Sequence, residues 1–271
     1  MALFGFIGAG NMGYPLLQAA VRSFGKDEVI YYDVSDQQRN IIYNNTKIEA
    51  SSDNISVAKE CKYLVLAVKP FFLSDVLKQI SSVLTNKHVI ISVVAGVTID
   101  SIKKLLSQDL RIIRSMPNTP ALLSKGMTGI SLFEDEYNEA ELEVINQFFS
   151  SLGKYEIFNE NLMNAVTCAN GSSPAYVYMF IEALADSVVS LGIPRDKAYT
   201  LVAQTVYGAA SMVLETNEHP ASLKDKICSP GGTTIEGVKA LEEHGFRKAI
   251  IKATEACYNK AESIGETDEK L

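Results

Sequence analysis

Hydrophobic and polar positions along this chain follow two regimes. Up to about residue 155, short apolar runs rich in β-branched residues alternate with segments whose apolar positions recur at helical spacing. The runs at 3–7 (LFGFI), 28–33 (EVIYYD), 47–50, 63–67 (YLVLA), 88–93 (HVIISV), 110–115 (LRIIRS), 127–133 (MTGISLF) and 155–158 predict strands. Several are apolar without interruption, as parallel strands covered on both faces are. Segments 73–84 (LSDVLKQISSVL) and 98–106 (TIDSIKKLL) predict helices. Strand and helix in alternation predict a doubly wound α/β sheet. After Asn159 the pattern becomes helical. Ser173-Pro174 reads as an N-cap with proline at the first helical position, opening a helix over 174–191 that Gly192 stops. That helix is apolar nearly all round, so it must be buried on most sides. The rest of the second half offers little to bury it, and a second copy of the chain would. Helices are also predicted at 195–217, 234–244 and 246–264, followed by a frayed acidic tail, ETDEKL. The division falls at residues 1–158 and 159–271.

The 271 residues are 47% hydrophobic and 21% charged, enough for a folded core. The net charge of −7 argues against a broad nucleic-acid surface. Cys61, Cys168, Cys228 and Cys257 share no CxxC spacing, and none has His88, His219 or His244 at metal-ligand spacing, so no metal is expected. No run approaches the ~20 apolar residues of a membrane span, and no signal pattern opens the chain. The expectation is a cytoplasmic protein that uses neither membrane nor nucleic acid.

Candidate chemistry begins at FIGAGNMG, residues 6–13. Gly8 permits a tight turn after the strand, Gly10 lets backbone approach a pyrophosphate, and Gly13 lets the helix pack near the sheet. The helix amino end then offers free N–H groups and partial positive charge. Asp33 stands about 20 residues on, at the end of the next strand, where a carboxylate accepts from a ribose 2′-OH. Physics there leans toward NADH, since the carboxylate repels a 2′-phosphate and Arg39, the nearest arginine, lies in the following helical pattern. An alternative for Asp33 is a turn or cap residue before Ser35.

Further strings extend this reading: AVKP (67–70), VAGVTI (94–99), MPNTP (116–120), GSSPAY (171–176) and SPGGTT (229–234). In this order and spacing they resemble the pyrroline-5-carboxylate reductases, over essentially the whole chain. LKDKICSPGGTTIEG and MPNTP are the specific strings; GxGxxG is shared by many families. The resemblance implies an N-terminal Rossmann-type doubly wound sheet followed by an all-α dimerisation domain, acting as a homodimer or higher homo-oligomer. It implies NADPH or NADH as cofactor. Ile7, Gly8, Ala9, Gly10, Asn11, Met12 and Gly13 would line the pyrophosphate, and Asp33, Val34, Ser35 and Asn54 the adenosine. Ala67, Val68, Lys69 and Pro70 would follow at the sheet's carboxyl edge, with Ala95, Met116, Pro117 and Asn118 near the nicotinamide. SPGGTT would cradle the small imino acid substrate: Pro230 stiffens the entry, while Gly231 and Gly232 bare backbone N–H groups toward a carboxylate. Thr233 and Thr234 open a helix whose amino end favours the same charge. The resemblance gives Ser229 and Thr234 catalytic roles, Thr234 near the ring nitrogen, places Glu160 on the substrate side, and puts Lys226 near the cofactor.

The implied reaction is hydride transfer to the C=N carbon of 1-pyrroline-5-carboxylate, giving L-proline. A protonated imine is already electrophilic, so the protein supplies position and electrostatics rather than strong acid catalysis. No Ser-His-Asp or Cys-His constellation surrounds the motifs. A β-hydroxyacid dehydrogenase would need a lysine base on the first long helix of the second half, and no lysine stands between Lys154 and Lys197. Reduction of another cyclic imine, or a dinucleotide-binding sensor without turnover, are the remaining alternatives; a sensor needs no substrate cradle.

Overall fold

The computed structural model describes residues 1–268. The sheet half runs β1 (Ala2–Ile7), α1 (Gly13–Phe24), β2 (Val29–Tyr32), α2 (Asp36–Thr46), α3 (Asn54–Glu60), β3 (Cys61–Leu66) and α4 (Pro70–Ile80). It continues with β4 (Val89–Ser92), α5 (Ile99–Leu106), β5 (Arg111–Met116), β6 (Gly126–Ser131), α6 (Glu139–Ser150) and β7 (Gly153–Ile157). The helical half holds α7 (Met163–Val166), a π-turn at Thr167–Ser172, α8 (Ser173–Ser190), α9 (Arg195–Thr216), α10 (Pro220–Ile227), α11 (Thr233–Glu243) and α12 (Phe246–Asp268).

Seven strands form one sheet in the order β2-β1-β3-β4-β5-β6-β7. The first five are parallel, so their carboxyl ends share one edge. β6 turns antiparallel to β5, and β7 runs parallel to β6. Alternate side chains feed two separate cores. Phe4, Phe6, Tyr63, Val65 and Ile91 pack with α1, α2 and α6 residues such as Leu16, Ile42 and Phe148. Ile7, Leu64, Leu66, Ile90 and Ile112 pack on the other face with Val57, Leu77 and Ile102 of α3, α4 and α5. Burying each such side chain contributes about 1.5–3 kcal/mol, and two-sided burial is why these strands read as unbroken apolar runs.

By its contacts the chain divides into two compact units, Met1–Ser172 with Cys257–Leu271, and Ser173–Ala256. The change of sequence habit falls at 158/159, but the first unit reaches further because α7 and the π-turn pack on β5 and β6.

Several expectations are corrected. Residues 47–50 form no strand; Ser51 donates one backbone bond to Tyr31 at 2.8 Å, with no ladder behind it. The helix expected at 73–84 starts at Pro70 and gives way after Ile80 to a 3₁₀ turn, Ser81–Val83. Ser173 is not an N-cap, because the chain enters α8 from the π-turn already helical. A widened turn accommodates Pro174, which has no N–H to continue the i→i−4 ladder. The acidic tail is helical to Asp268, and its last three residues lie outside the described region. α3 and α10 are too short to show a clear apolar period; α6 is opened by a capping box between Asn138 and Glu141.

Candidate active site

The glycine turn has the shape a dinucleotide cradle requires. Gly8 sits at φ +84°, and a Cβ there would lie 2.8 Å from the Ala67 carbonyl oxygen. A Cβ on Gly13 would meet the Gly8 carbonyl oxygen at 2.2 Å, so only glycine lets α1 start this close to the turn. A Cβ on Gly10, by contrast, would meet nothing within 4 Å. Gly10 is thus dispensable for the protein's own packing, and its bareness faces open space. Met12 caps α1 without a side-chain hydrogen bond, and no acidic residue stands in the first turn. The positive end of the helix is left for an anion. These residues fit a dinucleotide pyrophosphate.

Asp33 reaches back to this turn. Its Oδ2 accepts the Ala9 N–H at 2.7 Å and its Oδ1 the Ser35 N–H at 2.8 Å. It is therefore the brace of the loop, with Ser35 capping α2 through Gln38 N–H. Two neighbours were not foreseen. Gln38 Nε2 donates to the Ala9 carbonyl at 2.5 Å, and Arg39 Nη1 to the Asp33 carbonyl at 2.6 Å while pairing with Asp36. The expectation of no arginine beside Asp33 is corrected: one turn of α2 brings Arg39 back, across the Tyr32 ring. The signal was present in the spacing, since Gln38 and Arg39 stand three and four residues past the Ser35 cap and so return to its side of the helix. Val34 is exposed beside them.

Ala67 and Val68 follow β3 and lie against the turn: Ala67 N–H donates to the Ile7 carbonyl at 2.9 Å. Lys69 is exposed and precedes Pro70 at the start of α4. Asn54 opens α3, buried, its amide held by Gln79 Oε1 at 2.9 Å. Ala95 packs in a small apolar cluster with Met116, Met163 and Val166. Asn118 beyond Pro117 is committed internally, donating to the Asn170 carbonyl at 3.1 Å and accepting the Met127 N–H at 3.0 Å. Asn170 in turn donates to the carbonyls of Met116 and Met127. Asn170 is a structural brace of the MPN segment that sequence reasoning missed.

Glu160 also has internal partners. Its Oε1 accepts the Ile99 N–H at 2.6 Å and lies 3.5 Å from Arg114 Nη1.

In the second unit, Ser229–Gly232 forms a turn closed by Gly232 N–H to the Ser229 carbonyl at 3.0 Å. Pro230 and Gly231, the latter at φ +68°, occupy the positions a type II turn reserves for them. A Cβ on Gly232 would sit 2.4 Å from Ser229 Oγ. Gly232 then caps α11 with no side-chain bond, leaving the N–H groups of its first turn open, and Thr233 and Thr234 are exposed there. Lys226 is exposed and pairs with Glu218 at 2.5 Å. Among the described residues no cluster of potential metal ligands occurs, and no helix is long and apolar enough to cross a membrane.

A mostly parallel sheet with a glycine turn, an open helix amino end and a carboxylate-braced loop at its carboxyl edge, followed by a helical half, defines a dinucleotide-dependent oxidoreductase. Residues 3–96 match a family model described as NADP oxidoreductase coenzyme F420-dependent, and residues 160–264 one described as pyrroline-5-carboxylate reductase dimerisation. The pyrroline-5-carboxylate reductase of Escherichia coli (strain K12) is 42% identical, over 97% of this chain and 98% of its own length. That of Synechocystis is 41% identical, over 96% of this chain and 97% of its own. The crystal structure of Plasmodium falciparum pyrroline carboxylate reductase with NADP bound superposes with a TM-score of 0.88 at 32% identity, covering 97% of this chain and 98% of that one. The chain belongs to the pyrroline-5-carboxylate reductase family.

Proposed function

We infer that this reductase works from two cradles, one in each half of the sequence divided at 158/159. The reaction is reduction of 1-pyrroline-5-carboxylate to L-proline with NAD(P)H, the last step of proline biosynthesis. The full-length likeness to named reductases carries that assignment.

Residues 7–13 hold the pyrophosphate, with the bare Gly10 backbone and the uncapped start of α1 supplying donors. Asp33, Val34, Ser35 and Asn54 border the adenosine, Ala67–Pro70 the middle of the cofactor, and Ala95 with Met116–Asn118 the nicotinamide. When bound, the reduced cofactor supplies the hydride that goes to the C=N carbon. The 229–232 turn and the amino end of α11 hold the substrate carboxylate through backbone N–H groups. The hydroxyls of Ser229 and Thr234 orient the ring, Thr234 hydrogen-bonding at the nitrogen and holding its proton there. Glu160 lies on the substrate side, and Lys226 near the cofactor.

The helical half supports self-association. Residues Ser173–Ala256 have a buried apolar centre of Ala185, Ala198 and Val202, while Tyr178, Met179, Tyr199, Tyr207 and Met212 are exposed. Such a surface is covered by a second copy, giving a homodimer or larger homo-oligomer in the cytoplasm.

Thr234→Ala is the test. Turnover of the imine falls about 10²-fold while NADPH affinity measured by fluorescence titration is kept. An equal loss of both removes Thr234 from the substrate, and no NAD(P)H oxidation by the wild type with pyrroline-5-carboxylate removes the assignment itself.

A further inference from the structure

A buried guanidinium stands at the centre of the first unit with no role in the reading above. Arg114, on β5, is 3% exposed at its side chain. Nη2 donates to Asn164 Oδ1 of α7 at 2.9 Å, Nη1 lies 3.5 Å from Glu160 Oε1, and Nε is buried with no partner. Burial pulls its pKa down, and the Glu160 charge acts the other way. A charge this deep is retained only where its partners are organised around it.

What the pair does follows from the other contact of the same oxygen. Glu160 Oε1 accepts the Ile99 N–H, the first N–H of α5, at 2.6 Å. A carboxylate there satisfies an orphan donor and complements the positive end of the helix. The residues immediately before Ile99 are the 94–98 loop at the sheet's carboxyl edge, with Ala95 in van der Waals contact with the Met116 cluster. Arg114 itself lies two residues before Met116. One oxygen atom thus joins the start of α5, the end of β5 and, through Arg114, α7.

We propose that Arg114 is a positioning residue for hydride transfer: it orients the Glu160 carboxylate, which fixes the amino end of α5 and so the 94–98 loop. This rests on the reading that Ala95 borders the nicotinamide. Lysine at 114 keeps the charge but has no fork with which to serve Glu160 and Asn164 together, so the loop loses its fixed geometry while the ion pair survives.

The experiment compares Arg114→Lys, Glu160→Gln and Ala95→Leu in the full-length enzyme. Glu160→Gln keeps an acceptor for Ile99 and loses the charge. For Arg114→Lys we expect a cooperative thermal transition, an unchanged NADPH dissociation constant by fluorescence titration, and kcat lowered about tenfold or more. The circular dichroism of bound NADPH in its nicotinamide band changes, and the isotope effect from 4-deuterated NADPH on kcat increases. Glu160→Gln retains more kcat than Arg114→Lys. A folded Arg114→Lys with wild-type kcat and an unchanged nicotinamide band, while Ala95→Leu impairs both, overturns the role of Arg114. If Ala95→Leu leaves NADPH affinity, nicotinamide band and kcat untouched, the placement of the loop beside the nicotinamide is what fails. Should Arg114→Lys not fold, Asn164→Ala, which removes the other anchor of the guanidinium, decides by the same readouts, wild-type behaviour overturning the proposal.

Discussion

Replacing Gly10 with alanine separates the cofactor cradle from the fold. A Cβ at Gly10 meets no heavy atom within 4 Å, and Gly10 is not among the glycines at positive φ. The apo protein loses no packing, and the reduced freedom of the unfolded chain stabilises it by about 0.4–1 kcal/mol. The new methyl projects about 1.5 Å from Cα, into the open space that the proposed reading gives to the pyrophosphate. Losing one charge-assisted hydrogen bond to phosphate costs about 1.5–3 kcal/mol, roughly ten- to hundredfold in Kd. Gly13→Ala is the counterpart. Its Cβ would lie 2.2 Å from the Gly8 carbonyl oxygen, a backbone atom that moves only with the turn. That overpacking costs about 1–3 kcal/mol of stability before any ligand is added. Thermal unfolding of the apo proteins and fluorescence titration with NADPH are measured on both variants. Gly10→Ala keeps or raises Tm and weakens NADPH; Gly13→Ala lowers Tm. Wild-type NADPH affinity in Gly10→Ala, or a lowered apo Tm, refutes the reasoning.

Three other outcomes are expected. Asp33→Ala removes a negative charge and the acceptor of two loop N–H groups, so kcat/KM with NADH falls relative to NADPH; an unchanged ratio takes Asp33 away from the ribose. Met179→Asp, on an exposed apolar position of α8, converts the oligomer to monomer in sedimentation velocity, and an unaltered assembly contradicts the covered face. For Glu141, burial raises the carboxyl pKa, but bonds from Lys62, the Asn138 N–H and Arg111 outweigh it and hold it below its ordinary 4.5. Its stabilisation is therefore complete above that value and is lost as pH falls through the lower folded-state pKa. Glu141→Gln flattens the loss of stability below about pH 4.5; an unchanged acid limb of the denaturation profile refutes this.

Local pattern carried much of this protein. Unbroken apolar runs marked the parallel strands because both sheet faces are covered, and the glycine turn announced itself through its place between strand and helix. The Ser229–Gly232 turn was equally legible, since Pro230 and Gly231 impose their geometry on their neighbours. The family strings placed the whole chain. The all-round apolar helix pointed to a partner because one helical unit cannot bury it. What depended on tertiary structure was the use of polar groups across long separations. Asp33 braces Ala9 24 residues away, and Glu160 caps a helix 61 residues before it. Arg114 and Asn170 look like ordinary polar residues in sequence, yet each is buried and bonded to a distant segment, and Asn118, singled out by its motif, is bonded to Asn170 52 residues on. Residues 47–50 had strand chemistry without the neighbour that makes a ladder. Side-chain period and turn chemistry are properties of adjacent residues, and the sequence determines them alone. Which distant donor meets which acceptor is settled only when the two cores close and set the strands in order.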